Sequence, residues 1–280
     1  MKKGLILCLI CSLLFSGIIV TPAYANASAE NQLEQPSKDM VIPLSDAEMA
    51  KIREQVKQLE KLDGQQLGKM GILGTTVSVP IGTNKTITAA DSGTVYRSDY
   101  PNTTGSWGTS SNGWLDCRTE YSWPGNEGSG NSWGWIGKYV ALTGSGSRNC
   151  TIKFSGNYNG TLQTADEVIS TQVYCLVAAQ ICDVTNGGFS IVAEKIIAER
   201  GFALSMLPNT VQGTIGSGDS ITCNLQAGRT YLLRLKLYTS AKADGPSPEP
   251  PFVSWGLSDF DNGGPDGQGV DYQSVSLTWN

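Results

Sequence analysis

Thr230-Tyr231-Leu232-Leu233-Arg234-Leu235-Lys236-Leu237-Tyr238-Thr239 decides the fold class. Tyr231, Leu233, Leu235 and Leu237 fall at every second position, with Arg234, Lys236 and Tyr238 between them. A strand turns successive side chains to opposite faces, so this period of two marks a half-buried antiparallel strand. It predicts Arg234, Lys236 and Tyr238 on a solvated face.

The neighbouring segments extend the pattern. Ser220–Leu225 and the turn at Ala227-Gly228 are expected to make a hairpin with this strand. Gln172–Val184 is a long buried run that stops at Asn186-Gly187-Gly188, where Asn and Gly accept positive φ and reverse the chain. The returning segment, Phe189–Arg200, also fits a helix through Val192, Ala193, Ile196 and Ile197 that ends at Gly201; the preceding hairpin signal favours a strand. Thr75–Ile81, Lys85–Ala89, Thr94–Arg97, Trp135–Leu142, Thr151–Phe154 and Val253–Phe260 read as further short strands. In Val270–Trp279 the apolar set moves from even positions (Val270, Tyr272) to odd ones (Val275, Leu277, Trp279), which predicts a bulge near Gln273-Ser274. Residues 98–134, dense in Gly, Ser, Asn and Trp, read as a long irregular stretch. Strand after strand without a long helix between them gives an all-β chain folded as an antiparallel β-sandwich, jelly-roll-like or immunoglobulin-like.

The first 73 residues differ in kind. Lys2 and Lys3, the apolar run Leu5–Val20 and the small-x-small sites Ala23-Tyr24-Ala25 and Ala25-Asn26-Ala27 read as a secretory signal peptide over 1–27. The remainder is therefore expected to be secreted or held at the cell surface, with no membrane insertion after cleavage. Residues 28–73 form a tether and one short amphipathic helix, and 74–280 the sandwich. Ser45-Asp46-Ala47-Glu48 is a capping box that starts the helix. Met49, Ile52, Val56, Leu59 and Leu62 follow at helical spacing up to the breaker Gly64. Three roles fit such a helix: it packs on the sandwich, it is removed as a pro-segment, or it serves as a spacer or oligomerisation helix.

Composition narrows the chemistry. The chain has 20 basic and 25 acidic residues; without Lys2 and Lys3 the balance is 18 − 25 = −7. A negative chain without a basic cluster repels phosphate backbones, so nucleic acid is not an expected partner. There is no histidine, which removes Ser-His-Asp triads, Cys-His dyads and His-ligated zinc. Gly130-Asn131-Ser132-Trp133-Gly134 therefore matches the G-x-S-x-G elbow by chance, its serine having no imidazole base. Cys117, Cys150, Cys175, Cys182 and Cys223 remain after leader cleavage and predict two disulfides, Cys117–Cys150 and Cys223 with Cys175 or Cys182. Cys175 and Cys182 lie seven apart on one strand and so face opposite ways.

Three constellations bear on function. Trp107, Trp114 and Trp123, flanked by Gly and Ser, are candidates for an exposed platform on which a sugar ring stacks, with Asp116 and Glu120 bonding its hydroxyls. Trp133, Trp135 and Trp279 are expected in the core. Asp259, Asp261 and Asp266 space like the opening of a calcium loop, although Gly263 and Val270 stand where an EF-hand has ligands. Asp116, Glu120, Glu127, Asp166 and Glu167 are carboxylates from which a glycoside hydrolase could draw an acid and a base, but no pair forms a motif. The reading is a non-catalytic binding module for a glycan or cell-surface polymer, with Ca2+ as a possible ion. The alternatives are a secreted glycoside hydrolase using two carboxylates and a structural envelope protein.

Overall fold

The computed structural model describes residues 40–70, 75–88, 90, 92–98, 103–109, 113–122, 128–165, 170–244, 255–261 and 267–280. Residues 1–39, where the sequence leads one to expect a leader and most of a tether, lie outside them. In chain order the elements are β1 (Val41–Pro43), α1 (Asp46–Met70), β2 (Thr76–Pro80), β3 (Lys85–Thr88), β4 (Ser92–Arg97), β5 (Thr103–Gly108), β6 (Gly113–Ser122), β7 (Gly128–Thr143) and β8 (Ser147–Ala165). They continue as β9 (Ser170–Asp183), β10 (Ser190–Ser205), β11 (Asn209–Ile215), β12 (Ile221–Gln226), β13 (Thr230–Asp244), β14 (Trp255–Phe260) and β15 (Gly269–Trp279).

These strands form two sheets. The first runs β1-β10-β9-β13-β7-β2, with β4 also on β7; the second runs β11-β8-β14-β6-β15-β3, with β12 on β8 and β5 on β6. Pairing is antiparallel except for β2 on β7. The facing sides are apolar at alternate positions: Val177, Ala179 and Ile181 of β9 and Leu233, Leu235 and Leu237 of β13 meet Leu115, Phe154, Val275 and Leu277 from the other sheet. The chain is an all-β sandwich with one helix. β9 and β10 pair through the turn at Asn186 and Gly187, both at positive φ, and β15 shifts register between Tyr272 and Ser274, where its apolar parity changes.

Three local expectations are corrected. Residues 98–134 are not one irregular stretch, since β5, β6 and the start of β7 lie within them. β12 and β13 are not a hairpin: β12 pairs with β8 in the second sheet and β13 with β7 and β9 in the first. The turn between them carries the chain across the sandwich. It is pinned there by the Ala227 N–H donating to the Gly146 carbonyl and the Gly228 N–H to that of Leu142.

The third correction concerns the outer face of β13. Arg234 is 0% exposed, and Lys236 and Tyr238 are buried as well, because α1 lies over them. The helix begins at the expected box: the Glu48 N–H donates to Ser45 Oγ at 3.3 Å and the Ser45 N–H to Glu48 Oε2 at 2.8 Å. Met49, Ile52, Val56 and Leu59 pack with Leu44, Tyr174, Leu176 and Tyr238. The stripe then turns ionic. Glu60 and Asp63 are buried while Leu62 is 52% exposed. Lys236 Nζ bonds Glu60, and Arg234 Nη1 donates to Asp63 Oδ2 at 2.6 Å. Gln180 bridges the two, accepting from Arg234 Nε at 2.8 Å and donating to Glu60. Further along, Arg53 Nε and the Tyr174 hydroxyl both donate to Glu199 Oε1 at 2.6 Å. Gly64 does not stop the helix, which runs to Met70.

Cys117, Cys150, Cys175, Cys182 and Cys223 are free thiols, so neither expected disulfide is formed. The Cys117–Cys150 pairing is excluded by register. Cys117 opposes Phe260, next to the Asp259 that opposes Thr161, and Cys150 lies eleven residues back along β8 from Thr161. At ~3.3 Å per residue this is roughly 35 Å. Cys175 lies in the inter-sheet core and Cys182 with Trp135 and Leu232 on the outer side of the first sheet, opposite faces as expected.

Candidate functional site

With α1 over the first sheet, the outer face of the second sheet is where the polar and aromatic candidates collect. β6 sends Leu115, Cys117 and Thr119 inward, so Trp114, Asp116, Arg118 and Glu120 point out. β5 places Thr104 beside Arg118 and Ser106 beside Asp116; β14 places Asp259 beside Arg118; β15 places Asp271 beside Trp114. The side chains bond one another. Arg118 Nη2 donates to Glu120 Oε2 at 2.9 Å, and its Nε lies 3.9 Å from Asp259 Oδ2. The indole of Trp255 donates to Glu120 Oε1 at 2.9 Å, and Thr104 Oγ1 to Asp261 Oδ2 at 2.8 Å.

Asp116 stands apart in this strip. It is only 1% exposed, its Oδ1 has no hydrogen-bond partner, and Ser106 Oγ reaches Oδ2 only at 3.5 Å. Burial above all, then the charge of Asp261 and, less, of Asp271 and Asp259, pushes its carboxyl up to about 7 against the Ser106 hydroxyl. Burial likewise raises Asp259, opposed by the Asp261 N–H and Arg118. Asp116 is thus a carboxyl on which a proton is held near neutrality, with no open path to a ligand.

The tryptophans do not share one surface. Trp114 lies outward over Gly108, where a Cβ would be 2.6 Å from the indole. Trp107 opposes Leu115 and turns the other way, against Gly93 of β4, at the sandwich rim and 37% exposed. Trp135 and Trp279 are buried, as expected, whereas Trp133 is half-buried and stacks on Tyr96 at 5.4 Å. Ser132 is a buried strand residue whose hydroxyl donates to the Thr104 carbonyl at 2.9 Å, a packing role with no elbow. Trp123, Glu127, Asp166, Glu167 and Asp266 lie outside the described residues. Trp255 was missed by sequence reasoning. Its signal was the alternation of Trp255, Leu257 and Asp259 with the small or buried Gly256, Ser258 and Phe260.

The calcium reading gains no geometry here. Asp259 Oδ1 accepts the Asp261 N–H at 2.9 Å, an ordinary turn bond, and among the described residues no group of three Asp, Glu, His or Cys is placed to hold an ion. A cavity of about 550 Å³ lies elsewhere, between α1 and the β9–β10 turn, lined by Lys57, Lys61, Gly64, Gln65, Phe189 and Ile191.

No protein-family model and no curated protein matches the chain. Among solved structures, that of the Gx strain of infectious bursal disease virus is similar at 14% identity and TM-score 0.21, over 68% of this chain and 42% of that one. The Gt strain structure gives 14% identity and TM-score 0.15, over 71% and 41%. The chain spans well under half the length of either. At these scores the likeness carries no argument, and the functional reading rests on the residues.

Proposed function

We propose that the protein is an exported, non-catalytic β-sandwich module that holds a glycan or similar polyhydroxylated polymer along the outer face of its second sheet. The observation that carries the reading is the strip between Trp114 and Trp255. Trp255 opposes Ser122, eight residues along β6 from Trp114, about 26 Å at ~3.3 Å per residue. Two half-buried indoles so spaced can each stack on a sugar ring, with Arg118, Glu120, Asp259 and Thr161 between them to bond hydroxyls. The repeated change of sheet from β6 to β7, β8 and β9 supports a jelly-roll-like over an immunoglobulin-like class.

The hydrolase reading has less support. Asp116 and Glu120 are four residues apart on one strand, about 13 Å, whereas glycosidases hold their carboxyls roughly 5–9.5 Å apart, and Asp116 is closed to substrate. The structural envelope reading draws on the ionic seam under α1, which serves rigidity.

The test is co-sedimentation of the protein with a panel of insoluble polysaccharides, in calcium and then in EDTA, with released sugar assayed in parallel. Selective pelleting without sugar release is the expected result. Pelleting that EDTA abolishes adds an ion to the site, sugar release turns the reading to the hydrolase, and no pelleting on any polymer leaves the structural role.

A further inference from the structure

Cys150 and Cys223 stand directly opposite each other where β12 pairs with β8. Neighbouring side chains hold that register from the other face: the Thr151 and Thr222 hydroxyls are 2.9 Å apart, and the Asn224 amide donates to Asn149 Oδ1 at 3.1 Å. Both thiols turn toward the inter-sheet core, Cys150 fully buried and Cys223 partly so. Directly opposed residues of an antiparallel pair have Cα atoms about 4.5–5.5 Å apart, within the ~4.4–6.8 Å that a disulfide spans. The other cysteines are placed differently. Cys117 opposes Phe260 and Gly105, Cys175 belongs to the first sheet, and Cys182 to the outer side of that sheet.

We propose that Cys150 and Cys223 are an oxidation site, closing a cross-strand disulfide that fastens β12 to β8. β12 has no other strand partner among the described residues, so the bond secures an edge held otherwise by one ladder. The oxidant is a small-molecule disulfide. The Cys223 thiolate, the more open of the two, attacks one of its sulfurs and expels a thiolate. The Cys150 thiolate then attacks the Cys223 sulfur of the mixed disulfide and expels the second. One S–S bond breaks and one forms. The cysteines give up two electrons and two protons, and the oxidant leaves as two thiols. Burial holds Cys150 up to about 12 and Cys223 to about 11, so exchange is slow at neutral pH and quicker at alkaline pH.

The experiment incubates the full chain, with Cys8→Ser and Cys11→Ser so that only the five later thiols remain, with oxidised glutathione at mildly alkaline pH, alkylates it in denaturant and digests it without reduction. Mass spectrometry is expected to find one linked peptide pair carrying Cys150 and Cys223, with Cys117, Cys175 and Cys182 alkylated. The oxidised protein should melt about 5–15 °C above the same sample after reduction, because a long loop of the unfolded chain is closed. C223S should give no linked pair and a melting temperature indifferent to the oxidant. Linkage of Cys150 or Cys223 to another cysteine, or full alkylation of both after exhaustive oxidation, overturns the proposal.

Discussion

Phe189 caps the buried Arg234: its ring centroid lies 5.2 Å from the guanidinium carbon, with Trp135 on another side at 5.6 Å. The same ring fills the space that a Cβ on Gly64 would need. A glycine here is therefore a demand of the contact between helix and hairpin, and the helix continues through it.

Gly64→Ala should destabilise the protein by about 1–3 kcal/mol, because overpacking against Phe189 outweighs the ~1 kcal/mol that alanine gains in a helix interior. In a Phe189→Ala background the clash is gone and the same substitution should stabilise. Urea unfolding of the four proteins checks the reversal; the same sign in both backgrounds would refute the steric account.

Asp63→Ala should cost about 3–5 kcal/mol, since it leaves Arg234 charged and buried without its carboxylate. Replacing both partners by apolar residues, Asp63→Leu with Arg234→Met, should recover most of the loss. Chemical denaturation of the single and double variants reads the difference, and additive losses would show that the pair does not act as a unit.

Asp116 gives a pH signature. Its folded pKa of about 7 is raised above the unfolded value, so between about pH 4 and 7 the unfolded chain gives up a proton that the native state keeps. Native stability therefore falls as pH rises through that window, by an amount on the order of 3 kcal/mol for a full shift. Asp116→Asn should match the parent near pH 4 and exceed it at pH 7. Thermal melts of both proteins across that range test this; parallel curves would remove Asp116 as the cause.

The two indoles of the outer face should matter for polymer binding and the rim indole should not. Trp114→Ala and Trp255→Ala are each expected to weaken co-sedimentation about tenfold, as the loss of one stacked ring of ~1–1.5 kcal/mol implies. Trp107→Ala should lower the melting temperature while leaving binding unchanged. Equal binding by all three variants would move the site away from this face.

What the sequence reveals is what neighbours in the chain decide. The alternation in β13, the turn at Asn186 and the parity change at Tyr272 are local, and each appears where the residues place it. The burial of Arg234 and Lys236 is not local, because the partners that make it tolerable, Asp63 and Glu60, lie 171 and 176 positions away. The stretch 98–134 misleads for a related reason. Gly105 and Gly134 are among its glycines, yet both lie in strands where the sheets approach closely: a Cβ on Gly105 would fall 2.7 Å from Val95 of the other sheet, and one on Gly134 2.8 Å from Leu115 of the other sheet. The strip between Trp114 and Trp255 joins β5, β6, β14 and β15, a neighbourhood that only the sheet order creates.

The ionic seam has a consequence for synthesis. Glu60 and Asp63 leave the ribosome long before the strand that carries Lys236 and Arg234, so α1 must wait, its carboxylates hydrated, until β9 and β13 have paired. The docking of α1 on the first sheet is therefore a step of high contact order that requires β9 and β13 in place. A chain interrupted before β13 leaves the Glu60 and Asp63 carboxylates of α1 without the two cations they pair with in the finished fold.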